Sequence, residues 1–184
     1  MISIVVPVYN AASHVQRSLE SITQQEGDIE VDVVDDSSTD GSLAVVRSFA
    51  TDHPKLPLTI VEHTRNQGLG IARRSGFSAT TGDFVYFLDS DDHLAPGAVA
   101  AMERATCSEG ADHTVYVFDF MIGTAESGWR RAAGSRDDTL VGAEAIVEAL
   151  LRSQLSPFMW NKLYPRAPLD EQQFSPLRRG EDVP

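Results

Sequence analysis

Cysteine is almost absent: Cys107 is the single one among 184 residues. One thiol cannot close an internal disulfide, which excludes a small secreted scaffold stapled by its own bridges. Long apolar runs are missing too, and no stretch approaches the roughly 20 residues of a membrane span. The opening run 2–6 is short, has no basic flank and stops at Pro7, so it reads as a buried strand and not as a signal peptide. Positive charge is scarce: 15 Lys+Arg face 27 Asp+Glu, a formal net charge of −12. Such a surface repels phosphate backbones, so no nucleic-acid partner is expected, although a small anion held through a metal ion remains compatible. His14, His53, His63, His93 and His113 show no ligand spacing. Cys107 has no histidine partner motif and reads as a small core residue. What is present is ordinary for a soluble globule, with 42% hydrophobic and 23% charged residues. A chain of this length suits one domain with a real core.

Two periods alternate over residues 1–110. Short β-branched or apolar runs at 2–6, 29–34, 58–61 and 84–88 predict buried strands. Helical spacing over 11–25, 40–50 and 69–80 predicts helices between them, with Asn10 or Ser13 capping the first and Asp40 the second. Gly82 stands where a left-handed C-terminal residue belongs, and Pro96 where a fourth helix begins. This βαβαβαβ pattern predicts an α/β fold with a mostly parallel sheet covered on both faces by helices. Beyond it, 114–121 alternates like a strand, 125–138 reads as a hairpin or loop, and 141–152 as a helix. The aromatic segment 156–164 has no clear period, and 177–184 is polar.

In such sheets ligands bind beyond the carboxyl ends of the strands. Polar clusters stand at all four: Tyr9-Asn10, Asp35-Asp36-Ser37-Ser38, Arg65-Asn66-Gln67-Gly68 and Asp89-Ser90-Asp91-Asp92. The last is the strongest signal. Three carboxylates at one strand end repel one another and call for a cation, and a hard divalent ion fits oxygen ligands. The alternative is a solvated turn with Asp92 capping the next helix; a shared rim after a buried strand favours the metal. In the second cluster Ser38 to Asp40 start a helix, but that leaves the acid pair unexplained. An acid there accepts from a base N–H or a ribose hydroxyl. Gly68 and Gly70 before a helix carrying Arg73 and Arg74 suggest phosphate contact, weakly when taken alone. Neither a GxGxxG nor a Walker lysine motif is present.

Pro7-Val8-Tyr9-Asn10, Asp35 to Ser42, Asn66-Gln67-Gly68 with Ala72-Arg73, and Phe87 to Asp92, in this order and spacing, resemble the family-2 glycosyltransferases of GT-A (Rossmann-like) fold. The late Trp160-Asn161-Lys162-Leu163-Tyr164 and Gly180-Glu181-Asp182-Val183-Pro184 resemble the bacterial polysaccharide and wall-polymer branch. The resemblance implies one GT-A domain over 1–184, with a nucleotide-binding half at 1–110 and a mixed acceptor-side half at 111–184. It implies metal-dependent, inverting transfer of a hexosyl or N-acetylhexosaminyl group from a nucleotide sugar, first of all a UDP-sugar, to a glycan or wall-polymer hydroxyl. Pro7 and Tyr9 would line the base pocket, and Asp36 would bind the uracil edge. Asn66, Arg73, Asp89 and Ser90 would contact the rest of the nucleotide sugar. Asp91, with Asp92, would hold Mn²⁺ or Mg²⁺. Asp182 would be the general base, with Glu181 beside it.

Two features depart from the family pattern. Arg74 stands where the family often has Asn, and the chain ends two residues after Asp182, where relatives usually continue. A truncated chain with a poorly held base is therefore expected. Two further readings compete with the transferase. One is a nucleotide-sugar-binding fragment without efficient turnover. The other is a haloacid-dehalogenase-type phosphohydrolase, which would want its DxD after the first strand and a downstream lysine and acidic pair. The expected location is the cytoplasm, with peripheral association at the inner face of a membrane compatible and no transmembrane segment.

Overall fold

A computed structural model describes residues 1–107, 114–124, 128–132, 159–169 and the single positions 140, 145, 148, 149, 152 and 174. Its elements in chain order are β1 (Ile2–Val8), α1 (Val15–Thr23), β2 (Ile29–Asp35), α2 (Ser42–Asp52), β3 (Leu58–Glu62), α3 (Leu69–Ala79), β4 (Phe84–Phe87), α4 (Ala98–Ala105), β5 (Tyr116–Val117), β6 (Phe120–Thr124), β7 (Gly128–Ala132) and β8 (Lys162–Pro165). Six strands form one sheet in the order β3-β2-β1-β4-β8-β5, and β6 pairs with β7 alone. The pairs among β1 to β4 are parallel, while β8 runs antiparallel to both β4 and β5. This is the predicted architecture: a mostly parallel sheet with a mixed C-terminal part. Among the described residues no helix is long and apolar enough to cross a membrane.

The central strand β1 is buried along its whole length. Its alternate residues Ile2, Ile4, Val6 and Val8 pack with Val15, Leu19 and Ile22 of α1, Val46 and Phe49 of α2, and Val99 and Met102 of α4. The intervening Val5 packs on the other face with Val85 and Phe87 of β4, Phe77 of α3 and Phe174. Period-2 side chains on a strand buried on both faces produce this division. On the α3 face Gly76 lets the helix approach closely, since a Cβ there would stand 2.3 Å from Val5 Cγ1.

Several local expectations are corrected. Neither Asn10 nor Ser13 caps α1; His14 occupies the cap without a side-chain hydrogen bond. The α2 cap is Gly41, in a left-handed conformation (φ 94°), although Asp40 Oδ1 does accept from the Ser42 N–H. Gly82 is not a left-handed cap, because α3 ends at Thr80 in an extended conformation. Gly82 is required instead by close approach: its N–H donates to Ser3 Oγ and Glu30 Oε1, and a Cβ would meet Ser3 Oγ at 2.6 Å. Pro96 precedes α4 rather than starting it. Cys107 is exposed and not part of the core. The expected strand 114–121 is divided between two sheets. Phe118 N–H donates to Asn161 O and Phe118 O accepts from Asn161 Nδ2, which holds the bend, and Asp119 then pairs with Arg131 across the hairpin. The unassigned 156–164 segment supplies β8 from its end. Most of the predicted helix 141–152 and the polar end 177–184 lie outside the described residues.

Asp32 is the misfit of the sheet. It is 2% exposed on β2, and its Oδ2 has no hydrogen-bond partner. Desolvation first, and the charge of Glu30 second, push its carboxyl up to about 7 from 3.8. The folded chain thus holds a proton there that the unfolded chain releases, so the stability is complete below about pH 4 and is lost as pH rises through 7. Asp32→Asn is expected to remove this slope and to stabilise the chain at pH 8 by on the order of 2–4 kcal/mol. Chemical denaturation at pH 5 and pH 8 checks it; parallel pH profiles for variant and parent would refute it.

Candidate active site

All four polar clusters lie on one rim, at the carboxyl ends of β1 to β4. The chain runs outward from β1 to β2 and β3, then returns so that β4 lies on the other side of β1. Strand order reverses there, which opens a crevice at the sheet end. Pairing of β1 with β4 stops at Val5 and Phe87, so Pro7, which has no N–H, sits where β1 needs no partner on that side.

The first two turns are laced together. Asn10 is held at φ 51°, and its Oδ1 accepts from the Thr39 N–H at 2.8 Å. In return Ser38 Oγ accepts from Asn10 N–H, Ser42 Oγ from Ala11 N–H and Asp40 Oδ2 from Ala12 N–H. The Ser38 to Asp40 run therefore both starts a helix and fixes the neighbouring turn.

The adjacent acids divide their work. Asp35 and Asp36 are each 2% exposed. Asp35 Oδ2 accepts from the Ser38 N–H within its own turn. Asp36 reaches across to the β3–α3 turn, where Gln67 N–H and Gly68 N–H donate to its two oxygens at 2.8–3.1 Å. Those two N–H groups are thus aimed at Asp36 and not at a phosphate. His63 Nδ1 completes the shell, 2.6 Å from Asp36 Oδ1. His63 shows no ligand spacing in the sequence, and its one available signal is its place just past the third strand.

At the fourth turn Asp92 N–H donates to Asp89 O, which curls the segment. Arg73, 1% exposed, pairs with Asp89 Oδ1 at 2.9 Å. The arginine lies behind the acid, inside α3, and holds it from the core side. Asp91 and Asp92 stand exposed, and among the described residues neither pairs with a basic side chain. Desolvation first, then the charges of Asp89 and Asp91, push the Asp92 carboxyl up to about 6.

A cleft of about 480 Å³ opens between these turns. Pro7, Tyr9, Asp36, Asn66, Asp89, Ser90 and Asp91 all line it. Tyr9, 50% exposed, stands at its mouth. Arg73 and Asp92 lie beside it, and Glu181 and Asp182 are outside the described residues.

Residues 3–170 match the model of glycosyl transferase family 2. The chain belongs to that family. The family-2 chain is 33% identical over 189 residues to the succinoglycan biosynthesis protein ExoO of Rhizobium meliloti, covering 98% of this chain and 53% of ExoO. It spans about half or less of the length of the curated relatives that match all along it. Among solved structures, S. aureus TarS 1–349 in complex with UDP-GlcNAc superposes with a TM-score of 0.75 and 26% identity, over 98% of this chain and 50% of that one. The mannosyltransferase PcManGT of Pyrobaculum calidifontis, in complex with GDP-Man and Mn²⁺, gives a TM-score of 0.56 and 33% identity, over 59% of this chain and 32% of that one. The fold is therefore the GT-A fold of family-2 glycosyltransferases, and the phosphohydrolase alternative falls.

Proposed function

We propose that this family-2 chain forms a GT-A domain that transfers a hexosyl or N-acetylhexosaminyl group from a UDP-sugar to a glycan or wall-polymer hydroxyl, with inversion, in the cytoplasm. Residues 1–110 bind the nucleotide and 111–184 face the acceptor. The observation that carries the reading is the convergence of Pro7, Tyr9, Asp36, Asn66, Asp89, Ser90 and Asp91 on one cleft at the strand-order reversal. Its volume lies within the range of about 300–1,000 Å³ usual for small-molecule sites. The complex of TarS with UDP-GlcNAc supports a uridine donor, and ExoO supports a polysaccharide product.

The residues in and beside the cleft have roles that their settings support. Pro7 and Tyr9 flank the base. Asp36 accepts from its N–H edge. Asp89, held from behind by Arg73, takes the ribose side, with Asn66 and Ser90 lining the remainder. Asp91, with Asp92 beside it, supplies hard oxygen ligands. Among the described residues no group of three His, Cys, Asp or Glu could hold a metal by itself. That donor set nonetheless fits Mg²⁺ or Mn²⁺, which bind through one or two carboxylates and complete their shell with substrate phosphates and water. The Mn²⁺ in the PcManGT complex supports the same reading. When bound, such an ion offsets negative charge on the departing diphosphate. Asp182, with Glu181 beside it, takes the proton of the acceptor hydroxyl. The hydroxyl oxygen then bonds to the anomeric carbon as the bond to the diphosphate oxygen breaks on the opposite face, and one such displacement inverts the centre.

Release of nucleoside diphosphate from UDP- and GDP-sugars, with Mn²⁺ or with EDTA and with glycan acceptors, tests the reading. UDP release that requires both acceptor and Mn²⁺ is expected. Preference for a GDP-sugar, or UDP-sugar binding without any release, would overturn it.

A further inference from the structure

Beneath the base pocket lies a hydrogen-bonded chain that the transfer chemistry does not use. His63 and Asp36 side chains are 7% and 3% exposed, so their contact is shielded from water. His63 Nδ1 meets Asp36 Oδ1 at 2.6 Å, and on the far side of the ring Nε2 meets Ser75 Oγ of α3 at 2.9 Å. The backbone is fixed as well: His63 N–H donates to Asp35 O, and Asp36 N–H donates to Val8 O. The ring is thus clamped between a helix and a carboxylate that lines the cleft.

An ionised carboxylate offers about four lone-pair sites and no donor. His63 Nδ1–H and the Gln67 N–H occupy Oδ1, and the Gly68 N–H takes one site on Oδ2, which the Gln67 N–H also approaches. One site remains, on Oδ2, and the three contacts fix the direction in which it points. Without the histidine Oδ1 keeps only the Gln67 N–H, and its vacated site then takes a ligand donor in another geometry. We propose that His63 is a positioning residue that sets base selectivity: by occupying Asp36 Oδ1 it leaves one fixed acceptor for one N–H of the base. This rests on the reading of Asp36 as the base contact. A ligand presenting N3–H, such as uracil, satisfies that acceptor, whereas cytosine presents a lone pair to it.

Amide variants separate positioning from filling. The Asn amide nitrogen stands where Nδ1 stands, and the Gln nitrogen where Nε2 stands. His63→Asn therefore keeps the bond to Asp36, and His63→Gln keeps the one to Ser75. Calorimetry with UDP and CDP in Mn²⁺ reads the affinity ratio, and thermal melting is followed in parallel. His63→Asn is expected to retain the UDP preference, while His63→Gln loses about tenfold, the scale of one charge-assisted hydrogen bond. The gain in UDP affinity from Mn²⁺ is expected to stay the same in both. Equal ratios in the two variants, or ratios that simply follow melting temperature, overturn the proposal. Should His63→Gln not fold, Ser75→Ala decides. It leaves the ring in place without its outer anchor, and an unchanged ratio there counts against positioning while a reduced one supports it. A parent chain that binds UDP and CDP equally removes the Asp36 reading and this inference together. A parent that prefers UDP, with no response in any variant, removes this inference alone.

Discussion

Asp91→Asn is expected to abolish the dependence of UDP binding on Mn²⁺ and to lower UDP-sugar turnover by two orders of magnitude or more. The size follows from the position. Arg73 already neutralises Asp89 from inside α3, at 2.9 Å, so Asp89 has less charge to offer a cation than its neighbour. Asp91 is exposed on the cleft wall and no basic side chain answers it among the described residues. An amide keeps the shape but removes the charge, and a hard divalent ion is held chiefly by charged oxygen. Charge stabilisation of this kind is worth several kcal/mol, and each 1.36 kcal/mol is tenfold in rate. Titrating UDP with and without Mn²⁺ isolates the effect from folding, since the turn itself is held by the Asp92 N–H to Asp89 O bond and by Arg73. Equal Mn²⁺ enhancement in variant and parent, with melting temperature unchanged, would remove Asp91 from the site.

The second large effect is on stability and lies at Gly76. Replacement by valine is expected to destabilise the chain by about 3 kcal/mol or more, the upper end of the cost of overfilling a core. In an exposed helix a side chain in place of glycine is favourable, because glycine loses more backbone freedom on folding. Here that preference is overridden. A Cβ would stand 2.3 Å from Val5 Cγ1 and 3.2 Å from Val34 Cγ2. Val5 and Val34 are both fully buried on central strands and stiff at χ1, so they do not yield. Nor is α3 free to retreat, because its first turn follows the Gln67-Gly68 pair held by Asp36 and its Arg73 holds Asp89. For a chain of this size the melting temperature should fall by roughly 6–12 °C. The double variant Gly76→Ala with Val5→Ala should recover part of what each single change loses, because the new methyl occupies the space the valine vacates. Strict additivity of the two losses would show that the helix moves instead.

The parallel half was legible because its signals are local. Ile2, Ile4, Val6 and Val8 announce a buried strand within seven residues, and a polar turn follows each such run. The convergence of seven of the proposed site residues on one cleft was legible for the same reason: topology alone carries Tyr9, Asp36, Asn66 and Asp89 to one rim. Direction was not legible. Asp35 and Asp36 look equivalent in sequence, yet one closes its own turn and the other crosses to the next. Arg73 suggested a ligand contact, and nothing in the sequence signalled that its guanidinium pairs with Asp89 from the core side. His63 offered only its place just past the third strand, since its partners lie 27 and 12 residues away. Strand β8 escaped because Asn161 and Lys162, both buried, interrupt any apolar period; Lys162 Nζ donates to Asn161 Oδ1, which makes the pair tolerable inside.

The insertion of β8 between β4 and β5 also sets a timetable for synthesis. The Phe-Val-Tyr-Phe strand β4 has its β1 partner as soon as it emerges, but its other edge waits for Lys162–Pro165. At 5–20 residues per second, the chain from Phe87 to Lys162 takes about 4–15 s to make. For that interval a nascent chain presents an aromatic strand with unpaired backbone groups, the kind of edge on which other chains add strands. A ribosome-bound chaperone that covers this edge would shield it until β8 is made.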